Sequence, residues 1–246
     1  MNGRVRSAGG RYPATIIVSV AVTVGFALQW LLPLEQLMER EGAAIADGQW
    51  WRILSSVLVQ GSGWGQYLFN TVGLVVVGAA VEKTRGSIQW VAGVVVAQVG
   101  ASLAALAWTP GVPDSGSSLF VSGLVGMLSV TWFVKPVQWA ALAAGYQVFF
   151  VWYLAVLALF GPLAGAVVGS VLTGVAVSVL VRSGFAVWAL TTTLVLTVLA
   201  FVLLIAARDQ HGIAVLLGLV VALTASFASS YRHGEWRRLD GRAGRR

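Results

Sequence analysis

The sequence predicts an all-α, polytopic membrane protein with about eight transmembrane helices, and three observations carry that prediction. Of its 246 residues, 58% are hydrophobic and only 10% charged, with a mean hydropathy of +0.83. That composition cannot clothe a soluble globule in polar surface. Apolar runs of spanning length follow one another at 14–32, 64–81, 88–108, 118–134, 139–160, 162–181, 185–207 and 211–231. With a cytoplasmic N-terminus, only Arg40, Arg52 and Arg208 of the sixteen Lys and Arg residues fall on the outer side, as the positive-inside rule requires. The runs lack the alternation of a membrane barrel, which leaves helix as the spanning element.

The chain divides into a basic tail at 1–12, a transmembrane domain at 13–231 and a second basic tail at 232–246. Arg4, Arg6 and Arg11 precede the first apolar run, from Thr15 to Leu32. That run is long for a signal core and no small-x-small cleavage pattern follows, so it reads as a retained span. Both termini are then cytoplasmic, and the expected location is a bacterial plasma membrane. The formal charge of +7 sits largely in the two tails. It suits anionic headgroups of the lipid bilayer, and no nucleic acid is expected as a partner. With no cysteine there are no disulfides and no thiolate metal sites. Carboxylates do not cluster and glycine-rich loops follow no strand, so no metal, nucleotide or other cofactor is expected.

The first outer connection, roughly 33–63, is the long one. Leu34, Leu37 and Met38 oppose Glu35, Glu39 and Glu41, which predicts an amphipathic helix lying on the interface. Trp50, Trp51 and Trp64 prefer the headgroup zone, so 48–66 is expected to dip into the outer leaflet without crossing. Span two carries Gln66 and Asn70, four residues apart and therefore on one face near its outer end. Such amides in a bilayer are either interhelical glue or part of a site. At its inner end, in VEKTRGS at 81–87, Glu82 is expected to pair locally with Lys83 or Arg85. Span three holds Gln98, Gly100 and Ser102. The turn-forming TPGVPDSGSS at 109–118 delivers Ser118 to the start of span four, where free backbone amides favour negative charge. Gly116, Gly123 and Gly126 share a helical stripe with Ser118 and predict close helix approach. Gly161, Gly165 and Gly169 form a second such seam at the start of span six. Span seven is aliphatic, with threonines at 191–193, and span eight follows RDQHG at 208–212, with Ala214 and Gly218 continuing a small-residue seam.

Serine is a poor nucleophile until a base takes its proton, and histidine is the commonest base. The chain has two histidines. His233 falls in the inner tail, on the wrong side for Ser118, while His211 stands at the outer end of a helix running parallel to that of Ser118. Ser117, Ser118 and Ser122 can equally be packing serines bonded to their own helix. Gln66 and Asn70 are placed to donate to the oxygen of a tetrahedral intermediate, together with the amide of Ser118.

WWR at 50–52, Asn70 in QYLFN, VEKTRGS at 81–87, GSSLFVSGLVG at 116–126 and HGIAVLLG at 211–218 together resemble the successive signatures of the rhomboid intramembrane serine proteases. The resemblance covers about 48–134 and again 209–218. It implies a rhomboid-like bundle, a six-helix core plus two helices, with Ser118 as nucleophile and His211 as general base. It also implies an oxyanion site including Asn70, a water-accessible cavity opening outward, and membrane protein substrates cut in a transmembrane segment. The sequence departs from the family pattern in three places. Leu119 stands where glycine normally follows the serine and is expected to crowd the cleft. Gln66 stands where a histidine usually serves the oxyanion. GPLAGAVVG at 161–169 resembles the histidine helix with Pro162 in the histidine's place, an alternative that would make the protein catalytically inactive. HGIAVLLG keeps a histidine with small residues at plus three and plus seven, which favours His211. Ser122, followed by Gly123, is the alternative nucleophile. A non-catalytic relative that binds transmembrane helices of client proteins is the second functional reading. A small-solute transporter is a weaker third, because paired ionisable residues and an inverted repeat are lacking.

Overall fold

The structure, a computed structural model, describes residues 12–134, 141–182 and 187–243. The basic stretch 1–11, with Arg4, Arg6 and Arg11, and Lys135 lie outside the described residues, as do the side chains of Arg182 and of 229 onward, His233 among them. The bundle is all-α. Among the described residues the only β-type pairing is an isolated antiparallel bridge between Arg40 and Asp114.

Among the described residues eleven α-helices follow in order: α1 (Pro13–Leu28), α2 (Leu34–Met38), α3 (Gly42–Ala46), α4 (Arg52–Ser55), α5 (Trp64–Arg85), α6 (Ser87–Trp108), α7 (Ser118–Val134), α8 (Ala141–Phe160), α9 (Pro162–Arg182), α10 (Val187–Ala206) and α11 (Gln210–Ala243). Five of them carry stretches long and apolar enough to cross a membrane, and three shorter apolar stretches lie in α1, α7 and α10. Each predicted span is therefore a helix, with bounds shifted by a few residues. The exception is α11, which continues past 231 to Ala243.

Helix α7 is the pillar of the bundle. Every residue from Ser118 to Trp132 is buried, as expected of a helix apolar all round. It packs against α5, α6 and α11. The glycines allow this closeness: a Cβ at Gly218 would land on the backbone of Gly123, and one at Gly126 on the carbonyl of Val215. Backbone therefore meets backbone along the α7–α11 seam, the packing that small residues permit in membranes. Helix α9 packs instead on α8 and α10.

In the connection between α1 and α5, the short amphipathic helix expected after Pro33 is α2, which ends at Met38. The rest of the connection holds two more short helices, α3 and α4, and a 3₁₀ turn at Ser56–Leu58. Pro33 and the extended Glu39 limit α2 to five residues. The segment is pinned by polar contacts. Gln98 Nε2 of α6 donates to the Ile53 carbonyl at 2.9 Å, and Gln29 and Gln60 exchange side-chain-to-backbone hydrogen bonds at 2.9 and 3.2 Å. Trp50, Trp51 and Trp64 stay about 60% exposed, Trp64 with its ring edge-on to the buried Phe26 at 4.8 Å.

Glu82 and Arg85 do not serve as a local pair. Glu82 accepts the backbone N–H groups of Ala14 and Thr15, at 2.9 and 2.8 Å, and the Ser87 hydroxyl at 2.6 Å. It thereby satisfies amides at the start of α1, which no intrahelical acceptor can reach. Arg85 reaches Thr131 of α7 at 2.7 Å and the Ala222 carbonyl of α11 at 3.0 Å.

Candidate active site

Three loops converge where α7 begins. The loop 109–117 is drawn in by Arg40, which is 3% exposed. Its backbone exchanges hydrogen bonds with Asp114 at 2.8 and 3.0 Å, and its guanidinium lies 3.3 Å from the Asp114 carboxylate. Arg40 also donates to Gln210 Oε1, while Gln210 Nε2 donates to Asp114 Oδ2 at 2.8 Å. One cluster of three side chains thus ties the interfacial segment, the loop before Ser118 and the first turn of α11. Burial pulls the Arg40 guanidinium below its usual value, and Asp114 partly offsets that.

Gly116 has φ of +122°, a conformation that side-chain-bearing residues rarely adopt. Its N–H donates to the Ser56 carbonyl at 2.9 Å. Gln66 Nε2 donates to the Ser115 carbonyl at 2.6 Å, and the Ser115 hydroxyl accepts from the Gly61 N–H at 3.0 Å. These ties set Ser118 as the first residue of α7.

His211 stands one residue into α11. Its Nε2 is 2.9 Å from Ser118 Oγ, and its Nδ1 is 2.6 Å from Asp209 Oδ1. The same carboxylate oxygen accepts the His211 backbone N–H at 2.8 Å. A carboxylate only accepts, so Nδ1 carries a proton; in the neutral ring Nε2 then presents its lone pair to the serine hydroxyl. Burial alone would raise the Asp209 carboxyl, but the charge of His211 and the hydrogen bonds from its ring and backbone outweigh burial and hold it below its ordinary value.

The structure brings Ser118 and His211 together and leaves the other candidates in different settings. Ser122 is fully buried one turn further along α7, and its Oγ has no hydrogen-bond partner among the described residues. Asn70 is fully buried, its amide donating to Gln60 Oε1 at 2.9 Å while its own Oδ1 has no partner among the described residues. Gln66 and Gln60 both border Gly116, where an added Cβ would meet their amide groups. Pro162 opens α9, on the far side of α8 and α10 in the packing order.

Leu119 does not crowd a cleft. It is 1% exposed and packs with Ala97 and Ala101 of α6 and Ala214 of α11. Three alanines opposite it make the room that a glycine at 119 would otherwise have to make.

Residues 47–184, more than half of the chain, match the Rhomboid domain family. The chain belongs to the rhomboid family. It is also similar to the rhomboid protease GluP of Bacillus subtilis (strain 168), 34% identical over 89 residues. That match covers 36% of this rhomboid and 17% of the relative's length. The family match stops before α11, so Ser118 lies inside it and His211 outside. Sequence reasoning missed Asp209, Asp114, Arg40 and Gln60. The one local signal was the placement of Asp209 immediately before a helix start, a preferred capping position.

Proposed function

We propose that this rhomboid is an intramembrane serine endopeptidase that cuts transmembrane segments of membrane proteins, with Ser118 as nucleophile and His211 as general base. The observation that carries the reading is the 2.9 Å separation of Ser118 Oγ and His211 Nε2, which is hydrogen-bond range for a nucleophile and its base. As Ser118 Oγ bonds to the scissile carbonyl carbon, its proton passes to His211 Nε2. The carbonyl oxygen gains the charge and is met by the free amide at the start of α7. Asn70 and Gln66 are the side-chain donors for the same oxygen, once the Asn70 amide leaves Gln60 and the Gln66 amide leaves the Ser115 carbonyl. The Nε2 proton then goes to the departing amine as the peptide bond breaks, and water hydrolyses the acyl-enzyme by the reverse sequence.

In this reading the transmembrane domain at 13–231 lies between cytoplasmic basic tails, 1–12 and 232–246, in a bacterial plasma membrane. The serine end of the bundle faces outward, and the substrate class is single-span membrane proteins. Activity requires no cofactor. The match to a relative named as a protease supports the chemistry at family level.

A second reading, a non-catalytic binder of transmembrane helices, draws on one fact: the Asn70 donor is engaged by Gln60. A fluorophosphonate probe on the purified protein in detergent separates the two. The expected result is covalent labelling of the wild type that disappears in Ser118→Ala and His211→Ala. Labelling that persists in Ser118→Ala, or no labelling of folded wild type, overturns the proteolytic reading.

A further inference from the structure

The strongest feature the dyad does not use is Asp209. Its position is built by the end of α10: the Arg208 N–H donates to the Ile205 carbonyl at 3.0 Å, and the Asp209 N–H to Leu204 at 2.9 Å. This is the pattern of a left-handed helix C-cap, and Arg208 takes the left-handed conformation with φ of +53°. Glycine or asparagine usually fills such a place, and a larger side chain there is strained by about 1–2 kcal/mol. The turn delivers Asp209 beneath the imidazole, with the Asp209 and His211 side chains 23% and 13% exposed.

We propose that Asp209 is a positioning residue that completes a Ser118–His211–Asp209 relay, a reading that rests on the dyad above. Its carboxylate holds the imidazole in the tautomer with Nδ1 protonated and stabilises the imidazolium that forms when Nε2 takes the serine proton. The Nδ1 proton stays on nitrogen throughout. The other charged groups facing His211 are Asp114 and Arg40, which are paired with each other, so Asp209 is the carboxylate that answers the charge on the ring.

The competing explanation is that Asp209 only caps α11, since it also accepts the His211 backbone N–H. Serine caps a helix start as well as aspartate does, but it carries no charge and its shorter side chain does not span to the ring. The test therefore compares Asp209→Ser, Asp209→Asn and Asp209→Glu in proteoliposomes with a single-span reporter. Melting temperature, kcat and KM are read for each.

The relay expects Asp209→Ser to melt near wild type while kcat falls by roughly 10²-fold or more with KM little changed. Asp209→Asn, which offers the wrong group to Nδ1, falls as far, and Asp209→Glu recovers part of the loss. If Asp209→Ser and Asp209→Asn both turn over within about twofold of wild type, the aspartate is a cap and the relay is overturned, with the dyad intact. If Ser118→Ala itself still cleaves the reporter, the underlying reading fails and the relay with it.

Discussion

Helices α9 and α11 carry the same sequence signature and occupy different places. Each opens after a tight turn, and each presents small residues at four-residue spacing, Gly161, Gly165 and Gly169 in one and Ala214 and Gly218 in the other. On α9 the small residues rest against α8: a Cβ at Gly165 would sit 2.7 Å from the Tyr153 carbonyl. The opposite face is bare, with Leu163, Val167 and Val171 exposed by 79%, 56% and 60%, a surface suited to lipid tails. On α11 the small residues meet glycines of α7. Polar ties then lock α11 at its first turn, through Gln210 to Asp114, and further along its length, through Arg85 to Ala222. A glycine stripe therefore marks a close contact without naming the partner. The partner is set by what small surface and what hydrogen-bonding groups stand opposite.

The sharpest way to break this contrast is to exchange the candidates. His211→Ala should lower reporter cleavage by at least about 10⁴-fold, as removal of a serine enzyme's base does. Pro162→Ala should stay within about twofold. Equal losses in the two would return α9 to the site.

The two seams separate next. Gly218→Val and Gly165→Val should each destabilise by about 1–3 kcal/mol through overpacking, measured by unfolding in detergent. Only Gly218→Val should lose activity per folded molecule, because it pushes His211 away from Ser118.

The polar ties come third. Asp114→Ala strands the buried Arg40 and should destabilise by about 1–3 kcal/mol. Adding Arg40→Ala should recover part of that loss, a coupling that a double-mutant cycle reads directly. The corresponding tie on α9, from the Thr173 hydroxyl to the Gly145 carbonyl at 3.4 Å, is long, and Thr173→Val should change stability by less than about 0.5 kcal/mol.

The turns that launch the two helices differ as well. Gly161 has φ of +88° at the start of α9, where the α10–α11 turn has Arg208 at +53°. Arg208→Gly should stabilise by about 1 kcal/mol and Gly161→Ala should destabilise by a similar amount, both visible as shifts in melting temperature.

Acid is the gentlest probe. Asp209 has a folded-state pKa below its unfolded value, so its stabilising contribution is complete at neutral pH and is lost as pH falls through the depressed folded value. Glu39 is shifted the other way, upward by burial and by Glu35 and Glu41. Its carboxylate destabilises at neutral pH, and the fold gains as pH falls through that raised value. Melting curves across the acid range should therefore show Asp209→Asn with a shallower acid loss than wild type and Glu39→Gln with raised stability at pH 7.

The sequence by itself determined the eight apolar helices and the common end shared by Ser118, His211, Gln66 and Asn70. Transfer of a residue into a bilayer is a local quantity, summed along a window, and helical periodicity is local too. Only the tertiary structure decided that α11 docks on α7 while α9 turns to α8. Only there does Leu119 fall among alanines, and only there does Glu82 cap a helix 67 residues earlier in the chain. The Arg40–Asp114–Gln210 cluster was hidden for the same reason. Packing and buried hydrogen bonds are properties of pairs brought together from distant positions, and no window along the chain contains both members.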